Sequence, residues 1–131
     1  MRPLVEFPDA VLTVCTGLRA GLVANGYPST RVSDKYVGGP GTEVWVQRDG
    51  GGQDGPALER PRIRVNVYAD GATSQPVNNL ASRVGAVIRS LAGYGAITNV
   101  RQLTGPTEID DPSGRPRRYM LFEIQTRGTT L

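Results

Sequence analysis

The sequence predicts an α+β domain in which two amphipathic helices pack on one face of a mainly antiparallel sheet of about five strands. Two stretches far apart in the chain have helical apolar periodicity, and the segments between and after them alternate apolar with polar residues. No regular strand–helix–strand repetition joins them, and no internal repeat is visible. The expected order is α-β-β-β-α-β-β, and residues 1–131 are expected to form one domain.

The first helix is expected from about Pro8 to Ala24. Pro8 suits a first helical turn, where its missing N–H costs nothing, and Asp9 complements the positive end of the helix dipole. Val11, Cys15, Leu18 and Leu22 fall on one stripe, with Val14 beside it. Asn25-Gly26 is a stop signal and Pro28 prevents continuation. Gly17 and Gly21 weaken the helix and mark places where another backbone packs close.

Arg31 to Val37 and Thr42 to Arg48 read as strands, and Gly38-Gly39-Pro40-Gly41 between them reads as the turn of a hairpin. From Asp49 to Glu59 there is almost nothing to bury, which predicts a long, flexible, glycine-rich loop. Arg62 to Ala69 alternates clearly. Ile63, Val65 and Val67 face the core, while Arg62, Arg64, Asn66 and Tyr68 face solvent or a neighbour. Asp70-Gly71 turns the chain, Thr73 or Ser74 caps a second helix, and Pro76 lies in its first turn. Val77, Leu80, Val84, Val87, Ile88 and Leu91 form that helix's apolar face, and Gly93 ends it. Strands follow at about Ala96 to Thr104 and Arg117 to Arg127. In the last, Met120, Phe122 and Ile124 alternate with Tyr119, Leu121 and Glu123.

Composition limits the function classes. Absence of histidine removes the commonest general base and metal ligand. The one cysteine, Cys15, lies on the buried stripe of the first helix, where a nucleophile would be out of reach. No apolar run is long enough for a membrane span. The N-terminal residues lack the continuous apolar stretch of a signal peptide, so a soluble protein made in a cytoplasm is expected. Gly50, Gly52 and Gly55 spell G-x-G-x-x-G, but Pro56 and then a strand follow where a phosphate-binding helix should open. Asp110 and Asp111 read as a solvated turn with Asx-type hydrogen bonds rather than an acid pair or a calcium loop. The expectation is a protein that is not an enzyme and takes no cofactor or metal.

What remains is a contact surface. Its candidate residues are Arg62, Arg64 and Tyr68 on the outward strand face, Asp49, Gly50, Gly51, Gly52, Gln53 and Asp54 in the glycine-rich loop, and Arg115, Arg117 and Arg118 before the last strand. A net charge of +3 is mild for a nucleic-acid binder, and arginine suits ion pairs between subunits. The plainer reading is a solvated strand face partly neutralised by Glu43, Glu59 and Glu123.

Several segments carry a resemblance in their order and spacing. Phe7-Pro8-Asp9 opens an amphipathic helix, and Val44-Trp45-Val46 precedes a glycine-rich loop. Arg60-Pro61-Arg62-Ile63-Arg64-Val65-Asn66-Val67-Tyr68-Ala69 leads to a long second helix. Leu103-Thr104-Gly105-Pro106 and Asp111-Pro112-Ser113-Gly114-Arg115-Pro116-Arg117-Arg118-Tyr119 complete the set. Across nearly its whole length the chain resembles the tail terminator (tail-completion) proteins of long-tailed, siphovirus-type bacteriophages, especially those of high-GC actinobacterial hosts. The resemblance implies a virion structural protein that forms a ring, typically a hexamer, at the head-proximal end of the tail. Tail tube protein would meet one side of the ring and the head-completion connector the other, with genome DNA passing through the channel without sequence-specific binding. Exposed sheet edges, as at the last strand, are one means of joining neighbours. Another virion part, such as a head–tail stopper or a tube protein, is the first alternative; a small basic nucleic-acid-binding module is the second.

Overall fold

The computed structural model describes residues 3–131. Helix α1 spans Ala10–Ala24. Its boundary is set by Asp9, whose carboxylate accepts a hydrogen bond from the Leu12 N–H at 3.0 Å, so that Pro8 stands outside the helix rather than in its first turn. Asn25 closes the other end, its N–H returning to the Leu22 carbonyl at 3.2 Å. Helix α2 spans Gln75–Arg89, with Pro76 in its first turn and Ser74 at the capping position but making no side-chain cap bond. The two glycines of α1 are where α2 and the turn after it come close, though side chains rather than backbone fill the space. Val87 seats against Gly21, and Leu91 and Tyr94 seat against Gly17.

The sheet has five strands in the order β2-β3-β4-β6-β5, and both helices pack on one of its faces. β2 is Arg31–Ser33, β3 Glu43–Gln53, β4 Leu58–Tyr68, β5 Ile97–Glu108 and β6 Arg117–Arg127. A further pair, β1 (Val5–Glu6) with β7 (Thr129–Thr130), joins the two ends of the described chain. All neighbours are antiparallel except β2 and β3.

That exception corrects the expected hairpin. β2 stops at Ser33, whose hydroxyl bonds to the carbonyl of Lys35 at 2.6 Å and turns the chain out of the strand. The segment after it returns across the strand end instead of folding back tightly. It is pinned there by Arg31, which donates to the Pro40 carbonyl at 2.7 Å and the Gly38 carbonyl at 3.1 Å. β3 therefore leaves in the same direction as β2.

The segment 49–59 is also not a long loop. β3 runs on to Gln53 and β4 begins at Leu58, pairing Gly51 with Pro61, Gly52 with Arg60 and Gln53 with Glu59. Backbone pairing needs no side chain, so a run of glycines conceals it. A bulge falls between Arg48 and Gly51, and there glycine is required. Gly51 has φ +87°, and a Cβ on it would lie 2.2 Å from the Arg60 carbonyl oxygen. Pro61 has no N–H to offer across the bulge. Arg48 supplies donors instead, to the Gly50 carbonyl at 3.1 Å and the Gly51 carbonyl at 3.4 Å.

The last long strand, β6, lies between β4 and β5, so the expectation that it offers an edge fails. β5 is the edge. Its register with β6 is broken at three places, Pro106 interrupts its donors, and Gln102 donates to the Gly105 carbonyl at 2.9 Å.

The core lies between helices and sheet. Val44, Val46, Ile63, Val65, Val67, Met120, Phe122 and Ile124 meet Val14, Leu18, Leu22, Leu80, Val84 and Ile88, all essentially without solvent contact. Among the described residues no helix packs on the opposite sheet face.

Candidate functional site

The uncovered face is assembled by strand alternation. Residues of β4 and β6 that flank the core residues necessarily point away from the helices. Register then aligns them: Glu123 of β6 stands between Arg62 of β4 and Arg101 of β5 in one cross-strand row. In the next rows Arg64 lies beside Leu121, and Asn66 beside Tyr119 and Trp45. Trp45, Tyr119 and Leu121 are half-buried on this face.

The two arginine clusters are brought onto neighbouring strands, but most of their charge is spent internally. Arg60 meets Asp54 at 2.6 Å and Glu123 at 3.4 Å. Arg64 meets Asp49 at 2.9 Å. Arg117 meets Asp111 at 3.4 Å and donates twice to the Asn66 side-chain carbonyl, at 3.0 and 2.8 Å. Of the expected neutralising acids, Glu123 serves Arg60 and Glu43 serves Arg115, while Glu59 pairs with Arg48 outside both clusters. Arg118 is not on this face. It opens β6 on the helix side, nearly buried, with its Nε 2.9 Å from the Asn78 side-chain oxygen of α2.

Tyr68, expected to face solvent or a neighbour, is 2% exposed. The loop after β2 lays Tyr36 against it, ring centroids 5.0 Å apart, and the Arg115 and Arg117 guanidiniums lie 5.2 and 5.6 Å from its ring centre. Burial pushes its phenol pKa up, against the pull of Arg117. Beside it is a group expected only as one of three acids neutralising a solvated strand face. Glu43 is a wholly buried carboxylate that accepts from the Val37 N–H at 2.7 Å and the Gly38 N–H at 3.1 Å, with Arg31 and Arg115 each at 3.4 Å. One carboxylate thus ties the loop after β2 to the loop before β6. Its only sequence signal was a charged residue placed directly before Val44-Trp45-Val46.

The candidate residues of the former loop divide. Asp49 and Asp54 are engaged in ion pairs, Gly50 and Gly51 give their carbonyls to Arg48, and Gly52 and Gln53 extend β3. Only 54–57 remain as a turn.

A cleft of about 490 Å³ opens at the N-terminal end of α2, lined by Ser74, Asp110, Asp111, Arg115 and Arg118 among others. The Asx turn expected here is present: Asp111 accepts from the Ser113 N–H at 3.0 Å and from its hydroxyl. The Ser113 hydroxyl bond does most to hold the Asp111 carboxyl below the usual range, with Arg117 and Arg115 assisting against partial desolvation. Cys15 lies elsewhere, buried, and burial pushes its thiol up to about 11. Among the described residues no cluster of Cys, Asp and Glu is arranged to hold a metal, and no helix is long and apolar enough to cross a membrane.

The arrangement offers a sheet face with aromatic and aliphatic side chains set among fixed ion pairs, a composition suited to contact with protein. No protein-family model matches the chain, and no curated protein matches its sequence.

Proposed function

We propose that this protein is a tail terminator of a long-tailed bacteriophage. Its subunits form a ring, a hexamer by the resemblance, that caps the tail tube, ends tube polymerisation and presents a docking surface to the head-side connector. Genome DNA passes through the ring without sequence-specific contact.

The observation that carries this reading, beside the sequence resemblance, is the uncovered sheet face. It places half-buried Trp45, Tyr119 and Leu121 beside Arg60, Arg64 and Arg117, each paired to a carboxylate, while Arg62 and Arg101 form no ion pair among the described residues. A phosphate-binding stripe would leave most of its arginines unpaired, whereas here three of these five are engaged. Fixed charges around apolar anchors give a protein interface its register and partner choice.

The test is to add purified protein to growing tail tubes and image the products by negative stain. The expected result is one ring at a single end of each tube and no further elongation. Subunits that stay monomeric and never touch tubes would refute the reading. Self-polymerisation into tubes would point to a tube protein. DNA affinity falling steeply with salt would point to a nucleic-acid module.

A further inference from the structure

Helix α1 has two apolar faces. One meets the core. The other shows Leu12, Thr16, Ala20 and Val23 to solvent, with Leu12 59% and Val23 60% exposed. The Thr16 hydroxyl is consumed by the Leu12 carbonyl at 2.9 Å, so the position adds a methyl to the stripe. The one charged residue there, Arg19, turns its guanidinium to the Val32 carbonyl at 3.0 and 2.7 Å. The outward face of α2, by contrast, carries Asn78, Asn79, Ser82 and Arg83. A helix apolar on both sides leaves one face whose burial would need a second partner.

We propose that this stripe docks on the uncovered sheet face of a second copy of the chain, head to tail, so that each subunit's α1 gives its neighbour's sheet the helical layer it lacks. The inference rests on the ring reading above and names the surfaces that close the ring.

Charge decides between this contact and its symmetric alternatives. Among the described residues, Arg62 and Arg101 form no ion pair, although they flank Glu123, which is already engaged by Arg60. The sheet face therefore keeps an excess of positive charge. Asp9 and Asp34, beside the N-terminal half of α1, likewise form no ion pair among the described residues. They line the groove next to Leu12 and Cys15 together with Arg19, whose guanidinium is turned to the Val32 carbonyl, so the acids there outnumber the base. Sheet against sheet would bring unpaired arginines together. Helix stripe on sheet face brings acids to arginines and Leu12 and Val23 to Leu121 and Tyr119.

Neither strand edge offers a competing route. β5 is broken in register and interrupted by Pro106; on the other side the edge strand β2 is three residues long, and the part of β3 beyond it bulges where Arg48 takes its carbonyls. Area sets the strength. A helix of 15 residues is roughly 22 Å long, so its stripe covers on the order of 200 Å². That is about a quarter of what each partner contributes to a stable pair, roughly 800 Å². A single contact of this kind is weak. A closed ring makes it twice per subunit, once with the helix and once with the sheet, and so assembles cooperatively.

The test uses a short bismaleimide cross-linker on Leu12→Cys and Leu121→Cys variants, alone, mixed and combined in one chain, free in solution and on tail tubes. Wild-type protein is the control, because its buried Cys15 should not react. The expected result is a cross-linked pair in the mixture and a ladder of multimers from the double variant, with neither single variant linking to itself. Asp34→Arg in the Leu12→Cys chain should lower the mixed yield several-fold, and Arg101→Asp in its partner should restore it. Links within either single variant, or no link in the mixture on or off tubes, would overturn the contact. A mixed link in protein that never caps tubes would keep the contact and remove the tail reading. Capped tubes without a mixed link would do the reverse.

Discussion

Arg115 reaches the wholly buried carboxylate of Glu43 across 72 positions of sequence, with Nη1 and Oε1 3.4 Å apart. The same carboxylate holds two backbone N–H groups of the preceding loop and a second guanidinium. It therefore keeps Tyr36 over Tyr68 and fixes that end of the open sheet face. Removing one partner of such a group leaves the others desolvated and unpaired. Glu43→Ala should destabilise the fold by about 3–5 kcal/mol. Glu43→Gln, which keeps an acceptor, should cost about 1–3 kcal/mol. Urea unfolding checks both, and a double-mutant cycle with Arg115→Met should show strong coupling.

Asp111 gives the fold a pH dependence of definite sign. Its folded pKa is depressed, so it binds a proton less readily in the folded state than in the unfolded one. Its contribution is present above the ordinary Asp pKa of about 3.9 and is lost as pH falls through the lower folded value. The stability difference between wild type and Asp111→Asn should be constant near neutrality and should close progressively below about pH 4. A gap that persists into strong acid would show that Asp111 acts only through shape.

Gly51 and Gly26 share a positive φ, +87° and +95°, but differ in surroundings. A Cβ on Gly26 meets nothing within 4 Å, whereas on Gly51 it meets the Arg60 carbonyl oxygen and the Pro61 Cα. Gly26→Ala should cost about 1 kcal/mol for backbone conformation alone. Gly51→Ala should cost at least ~2 kcal/mol, because the hairpin must also move. Thermal or urea melts of the two variants separate the terms.

Cys15 should resist thiol reagents in the native state and react at once on unfolding, its thiol being buried and its pKa pushed up to about 11. A native reaction at the rate of a free thiol would show that α1 opens locally.

The elements with strong side-chain patterns were legible in the sequence: α1 and α2 from their stripes, β4 and β6 from strict alternation. What escaped depended on backbone. The glycines after Arg48 carry no pattern, yet beyond the bulge Gly51 and Gly52 pair with Pro61 and Arg60 and continue the strand. The parallel arrangement of β2 and β3 rests on Arg31 holding two loop carbonyls, which no local propensity encodes. For the open face, alternation placed Arg62 and Arg64 correctly. Arg118 was misplaced because its neighbour Arg117, identical in chemistry, takes the other side of the strand. The Glu43 hub was hidden for a similar reason, since its partners come from three separate stretches. Asn66, amid a run of valines, was the available hint that something polar covers that end of the sheet.

The broken register of β5 and the carbonyls taken up by Arg48 also bear on how the chain behaves when crowded. A newly made strand that meets the sheet finds no long row of evenly spaced donors and acceptors to copy, so growth into fibres has no template. Concentrated protein is then expected to resist templated strand-by-strand growth. Gln102→Ala and Arg48→Ala, which free those carbonyls, should leave the native spectrum intact while shortening the lag before thioflavin-positive aggregates appear.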